Sequence, residues 1–262
     1  MEVKDYLSNY YEHYDEDGRL TSKYGMVEYV TTMKYIEKYL RPGMRIMEIG
    51  AATGRYSHAL AQQGYQVDAV ELVEHNIEIF KQNTLSGEPV TITQSNAMDL
   101  SAFESDTYDI TLLLGPMYHL YTTEDKLKAL SEAIRVTKKG GIVFAAYCMG
   151  DASVLSYGFI RGEIYNIIEK CMIDTETFDT FSNPWDIFEL HRKEDIDALR
   201  AEFDVTQLHF IATDGYANHM RSTLVEMDDR MYELYIKYHL ATCERQDMVG
   251  YSHHTLDIFR KD

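Results

Sequence analysis

The 262-residue chain is 45% hydrophobic and carries a formal net charge of −18, which supplies the core of one large α/β domain and argues against nucleic-acid and anionic-membrane partners. Its three cysteines, Cys148, Cys171 and Cys243, form neither a CxxC pair nor an even disulfide set, as expected in a reducing, cytoplasmic compartment. The opening Met1-Glu2-Val3-Lys4-Asp5 lacks the basic and apolar pattern of a leader, and no apolar run reaches the ~18 residues of a membrane helix.

The first 40 residues are rich in tyrosine and helical in flavour. Val30, Met33, Ile36, Tyr39 and Leu40 follow helical spacing, predicting a helix over 26–40 that Arg41-Pro42-Gly43 ends. Strand and helix then alternate: a strand at 45–49, a helix at 56–63 closed by Gly64, a strand at 65–71, a helix at 75–82 and a short strand at 90–93. Residues 108–114 form a continuous apolar run, the pattern of a central parallel strand buried on both faces. A helix over 125–137 is led by Thr122 in a capping-box position and stopped by Lys138-Lys139-Gly140-Gly141, before a fifth strand at 142–147. This rhythm predicts a doubly wound, mostly parallel sheet with helices on both faces and ligands at the carboxyl ends of its strands.

After residue 148 the rhythm breaks. Residues 153–172 look helical, and 173–190 look irregular, with Asn183-Pro184 and the single tryptophan, Trp185. A helix at 193–202, a sixth strand at 205–211, one or two helices over 219–243 and a last strand at 251–260 follow. The expected organisation is one domain over 1–262, with 1–40 as a helical lid and 150–190 as a cap inserted between strands five and six.

The most informative segment is Glu48-Ile49-Gly50-Ala51-Ala52-Thr53-Gly54-Arg55, a glycine-containing turn between a strand and a helix. A dinucleotide fingerprint needs glycine at offsets 0, 2 and 5, which here hold Gly50, Ala52 and Arg55. Offsets 0, 2 and 4 hold Gly50, Ala52 and Gly54, and no Gly-Lys-Ser/Thr follows to make a phosphate loop. Glu71 lies 21 positions after Gly50 at the end of the second strand, where a carboxylate can accept from both hydroxyls of a ribose.

The turn with its leading Glu48 resembles motif I, E/D-x-G-x-G-x-G, of class I S-adenosylmethionine-dependent methyltransferases, with alanine in place of the central glycine. Ser95-Asn96-Ala97-Met98-Asp99 is similar to that family's adenine-binding Gly-Asp-Ala element, Asn96 standing for the aspartate. Leu114-Gly115-Pro116-Met117-Tyr118-His119-Leu120 is similar to the segment that family members acting on small molecules carry after the fourth strand. It lacks the Asn/Asp-Pro-Pro-Tyr/Phe of nucleobase amine methylation and any Pro-Cys nucleophile. The resemblance covers motifs in 26–147 and implies a seven-stranded sheet with an antiparallel last strand. It implies S-adenosylmethionine as cofactor and S-adenosylhomocysteine as product. The cofactor contacts it implies are Glu48, Gly50, Ala51, Ala52, Gly54, Glu71, Leu72, Asn96, Ala97, Met98, Leu114 and Gly115.

Methyl transfer from a sulfonium needs alignment above all, and a base only where the acceptor must lose a proton. His119 is the candidate base and Tyr118 the candidate partner of the substrate, each with a packing role as the alternative. Tyr10, Tyr11 and Tyr14 place rings on roughly one helical side, and with Trp185 they are candidates for the acceptor pocket. His209, His219, His239, His253, His254 and Asp257 are weighed as a metal set and set aside, because neighbouring histidines on a strand point to opposite faces. The expectation is methyl transfer to an O or N nucleophile of a small molecule. The alternatives are a non-catalytic S-adenosylmethionine-binding regulator and a nicotinamide enzyme of the same fold.

Overall fold

The computed structural model describes residues 3–262; Met1 and Glu2, which open the expected lid, lie outside the described residues. Helices α1 (Val3–Tyr11), α2 (Glu16–Arg19) and α3 (Lys23–Tyr39) come first. Ser22 caps α3 by accepting from the Gly25 N–H, which sets the helix start three residues before the periodic run. The alternating part is β1 (Arg45–Ile49), α4 (Arg55–Gln62), β2 (Gln66–Glu71), α5 (Glu74–Asn83), β3 (Val90–Gln94), β4 (Tyr108–Leu113), α6 (Thr123–Val136) and β5 (Thr137–Met149). Then come α7 (Gly150–Ser153), a π-helical segment (Val154–Ile160), α8 (Ile164–Glu169), β6 (Leu190–His191), α9 (Lys193–Ala201), β7 (Val205–Ala212), α10 (Arg221–Glu226), α11 (Asp229–Thr242) and β8 (His254–Lys261).

Three expected boundaries move. The strand expected at 142 begins at Thr137, directly after α6, with Gly140 at φ +78° inside it; the Lys-Lys-Gly-Gly run ends the helix without leaving the sheet. The helix expected over 153–172 is broken at Gly162, φ +79°, a conformation glycine adopts without a Cβ penalty. The 219–243 segment is two helices, separated where Asp228 caps α11 through the Met231 N–H.

The sheet runs β3-β2-β1-β4-β5-β8-β7, with β6 paired to β5 as a two-residue eighth strand beyond the seven expected. Only β8 is antiparallel, to both β5 and β7. The core is the centre of this sheet: Ile46, Met47, Ile110, Leu112, Leu113, Val143 and Phe144 have no exposed surface, as befits parallel strands covered on both faces. From β1 the chain winds outward to β2 and β3, then crosses to the other side with β4. The switch point between β1 and β4 therefore brings the Gly50 turn against the Gly115-Pro116 loop. No helix among the described residues is long and apolar enough to cross a membrane.

Candidate active site

The turn after β1 is built from backbone. The Gly50 and Ala51 N–H groups both donate to the Val70 carbonyl (2.8 and 3.0 Å), and the Gly54 N–H returns to the Ala51 carbonyl at 2.8 Å. Gly50, Ala52 and Gly54 have φ of +76°, +47° and +91°, so the alanine at the motif's centre takes the left-handed conformation a glycine would. A Cβ on Gly50 would lie 2.6 Å from Pro116 Cδ, and one on Gly54 2.6 Å from the Phe80 ring. Both glycines are thus required by neighbouring protein atoms.

Glu71 is buried, and its carboxylate closes this turn. One oxygen accepts from the Ala52 N–H at 2.8 Å, the other from the Leu72 and Val73 N–H groups at 2.9 and 2.8 Å. Burial raises its pKa against the pull of those three bonds. Glu48 is buried too; it accepts from the Ser57 hydroxyl, and burial pushes it up to about 8.

A cavity of about 340 Å³ stands over this turn. Every expected cofactor residue but Gly54 lines it: Glu48, Gly50, Ala51, Ala52, Glu71, Leu72, Asn96, Ala97, Met98, Leu114 and Gly115. The Asn96 side-chain oxygen, expected to face an adenine amine, accepts from the Met98 N–H at 3.0 Å and so holds the Ala97 loop. The residue set suits an adenosyl amino acid: a carboxylate wall, an apolar slot at Leu72, Ala97 and Met98, and backbone against the third side. Val3, Lys4 and Leu7 of α1 line the opposite wall.

A second cavity, of about 880 Å³, adjoins the first. Tyr11, Glu16, Arg19 and Tyr118 line both and mark the junction. Tyr10 and Tyr14 line the larger cavity with rings stacked at 5.1 Å, although Tyr14 lies beyond the end of α1 and not on the shared helical side expected. Trp185 lines neither cavity among the residues bordering them; it is 62% exposed and packs edge-on to Tyr6 at 6.5 Å. The loop carrying it turns its neighbour Phe188 inward, 5.7 Å from the Tyr10 ring.

Tyr118 sits at the junction and His119 beside it on the wall of the smaller cavity, both with their polar atoms engaged. The Tyr118 hydroxyl donates to the Leu114 carbonyl at 2.7 Å. His119 Nδ1 donates to the Ile187 carbonyl at 2.8 Å, which leaves Nε2 to accept from the Tyr11 hydroxyl at 2.9 Å. Burial holds its pKa down at about 4. The expected base is therefore a neutral ring clasping α1 to the loop at 187, and it is not free to take a substrate proton in this arrangement.

The set weighed for metal disperses. His253 bonds Ser156 at 2.7 Å, His219 bonds the Tyr251 carbonyl at 2.8 Å, His209 bonds Tyr39 at 2.9 Å, and Asp257 bonds Arg200 at 2.6 Å. His254 instead meets two carboxylates that sequence reasoning did not connect to it: Asp214 at 2.9 Å and Glu28 at 3.5 Å, all three lining the larger cavity. Arg19 grips the same Glu28 with bonds of 2.8 and 3.2 Å and Glu16 with one of 2.9 Å. These residues come from four separate segments, and no local motif signals them.

Residues 47–145 match the family model described as a methyltransferase domain. Over 108 residues the chain is 32% identical to a demethylmenaquinone methyltransferase of Staphylococcus aureus, covering 40% of this chain and 43% of that enzyme. Over 166 residues it is 23% identical to a ubiquinone biosynthesis O-methyltransferase of Nitrosospira multiformis, covering 62% of this chain and 67% of that one. The chain thus spans less than half the length of the first and about two thirds of the second. A solved S-adenosylmethionine-dependent methyltransferase of Methanosarcina mazei shares the fold at a TM-score of 0.56 and 17% identity, covering 87% of this chain and 96% of that one. With its glycine turn, its switch-point cavity and the methyltransferase-domain match over residues 47–145, the chain is similar to class I S-adenosylmethionine-dependent methyltransferases and shares their fold.

Proposed function

We propose that the protein transfers a methyl group from S-adenosylmethionine to a small-molecule acceptor held in the larger cavity. One observation carries this reading: the cavity over the glycine turn adjoins, across the shared residues Tyr11, Glu16, Arg19 and Tyr118, a second cavity of about 880 Å³, a size suited to a metabolite. The named relatives, which act in quinone biosynthesis, support a small acceptor.

When bound, the cofactor supplies a methyl on a sulfonium, electrophile and leaving group together. The chain's own part is to fix the line of approach and exclude water. In the reading we favour, Glu71 and the Gly50 turn hold the adenosyl end, and Leu72, Ala97 and Met98 sandwich the base. Residues 1–40 act as a lid, drawn down by the Tyr11–His119 bond, and 150–190 act as a cap joined to it through Tyr10–Phe188 and Tyr6–Trp185. Tyr118, which lines both cavities, would border the space between donor and acceptor.

Calorimetric titration with S-adenosylhomocysteine tests the reading. Micromolar binding, weakened at least ~10-fold in Glu71→Ala, is expected. No binding at millimolar ligand, or an unchanged affinity in the variant, would refute it.

A further inference from the structure

Resting on the methyl-transfer reading above, we infer that the acceptor is an amine, held as an ammonium in the larger cavity by the negative charge of Glu28, with Asp214 behind it, and methylated at that nitrogen. Around the larger cavity the acidic residues Asp15, Glu163 and Asp186 match the basic Arg161, Lys170 and Arg221 in number. Arg161 and Arg221 already lie over the Tyr157 and Tyr24 rings, at 5.0 and 4.7 Å. The three other lining carboxylates, Glu16, Glu28 and Asp214, pair with Arg19 and His254. Even with His254 charged, this cluster is one positive charge short.

The deficit lies on largely buried groups, where an unpaired charge is costly. The side chains of Glu16, Glu28 and Asp214 are 14%, 13% and 1% exposed, and buried charge is tolerated when paired. Asp214 is fixed in place by the Ser252 hydroxyl at 2.6 Å and by the Asn218 amide. Tyrosine rings, Tyr10, Tyr14 and Tyr118, wall the space above, and their faces favour a cation. Despite its burial, His254 is held in its charged form by Glu28 and Asp214, so the shortfall is the smaller of the two possible values.

An amine also suits the reaction. The docked ammonium gives one proton to Glu28, which, like Glu16, is bonded to Arg19 at the junction. The freed nitrogen pair forms the C–N bond, the C–S bond breaks, and its electrons stay on sulfur as a thioether. Positive charge leaves sulfur and grows on nitrogen, facing the carboxylates that stabilise it.

The test uses the whole chain saturated with S-adenosylhomocysteine, whose own binding is measured first; absence of that binding would sink the methyl-transfer reading by itself. Matched probes are then titrated: tyramine, tyrosol and 4-hydroxyphenylacetate, and the same amine, alcohol and acid trio on an indole and on an imidazole ring. At least one amine is expected to bind 10-fold or more tightly than its alcohol and acid partners. Asp214→Asn and Glu28→Gln should each remove most of that preference while S-adenosylhomocysteine affinity holds, with each variant titrated well below its own melting temperature. The inference is overturned if no amine leads its trio, if the preference survives both substitutions, or if binding requires added Mg²⁺ or Mn²⁺ and vanishes with EDTA. The last result would make Glu28, Asp214 and His254, whose ligand atoms lie within 4.8 Å of one another, a metal site for a chelated acceptor.

Discussion

Gly50→Ala isolates the geometry on which the cofactor site depends. Gly50 has φ +76°, and holding an alanine in the left-handed region costs about 1–2 kcal/mol. The new Cβ would also stand 2.6 Å from Pro116 Cδ, 3.0 Å from its Cγ and 3.4 Å from Gly115 Cα. These are a rigid ring and a backbone atom, and Met117 behind them is fully buried, so the loop has little room to retreat. Overpacking of this kind costs about 1–3 kcal/mol. The two effects together predict a loss of roughly 2–5 kcal/mol, a fall of about 5–20 °C in melting temperature for a chain of this size. Because Gly115 and Leu114 line the cofactor cavity, S-adenosylhomocysteine affinity should fall at least ~10-fold as the loop is displaced. Differential scanning fluorimetry and calorimetry read both. A variant melting within about 2 °C of the parent with the same affinity would refute the account, whether the cause assigned is the ligand or Pro116.

Ala52→Gly should be nearly silent: relief of about 1 kcal/mol at φ +47° is offset by about 0.4–1 kcal/mol of added unfolded-state entropy, and a loss above about 1.5 kcal/mol in urea titration would contradict it. Tyr11→Phe removes the donor to His119 Nε2; stability should drop by about 1 kcal/mol and stopped-flow release of S-adenosylhomocysteine should quicken, whereas an unaltered release rate would show that α1 does not gate the cavity. His119 takes up a proton near 6.5 when unfolded but only near 4 when folded, so acid favours the unfolded chain and its contribution is lost as pH falls from about 6.5 to 4. His119→Gln should flatten the stability–pH curve in that window, by an amount on the order of 3 kcal/mol at its lower end. Equal slopes for variant and parent would mean that another group, such as His191 at about 3 or His253 at about 4, carries the acid sensitivity.

The cofactor half of the site was legible because it is local. Glu48 through Gly54 form one turn, and Glu71 ends the adjacent parallel strand, paired with Gln94 across the sheet. Alternation of apolar runs with amphipathic helices is enough to place both at the carboxyl edge. What the residues do with their hydrogen bonds was less legible. Asn96 and Glu71 spend oxygens on nearby N–H groups, and His119 spends both nitrogens on residues 68 and 108 positions away in sequence. Motif spacing names which side chains approach a ligand, but a satisfied donor or acceptor is a tertiary fact. Trp185 shows the same limit: proline before it and a short helical turn around it aim the indole outward and Phe188 inward.

The acceptor half was illegible for a stronger reason. Glu28 sits in α3, Asp214 follows β7, and His254 opens β8; the three meet because β8 runs antiparallel between β5 and β7 and returns the chain's end to the carboxyl edge. The pairing puts His254 beside Cys148 at the last rung of β5 and β8, on the floor of the larger cavity. Arg19 then ties α2 to α3 through Glu16 and Glu28, so the amino-terminal helices and the last strand build one surface. A charge pattern assembled this way has no spacing in the sequence. It is read only once the sheet order is known, and under the proposed reading altering Glu28 or Asp214 changes which acceptors enter without disturbing the turn at Gly50.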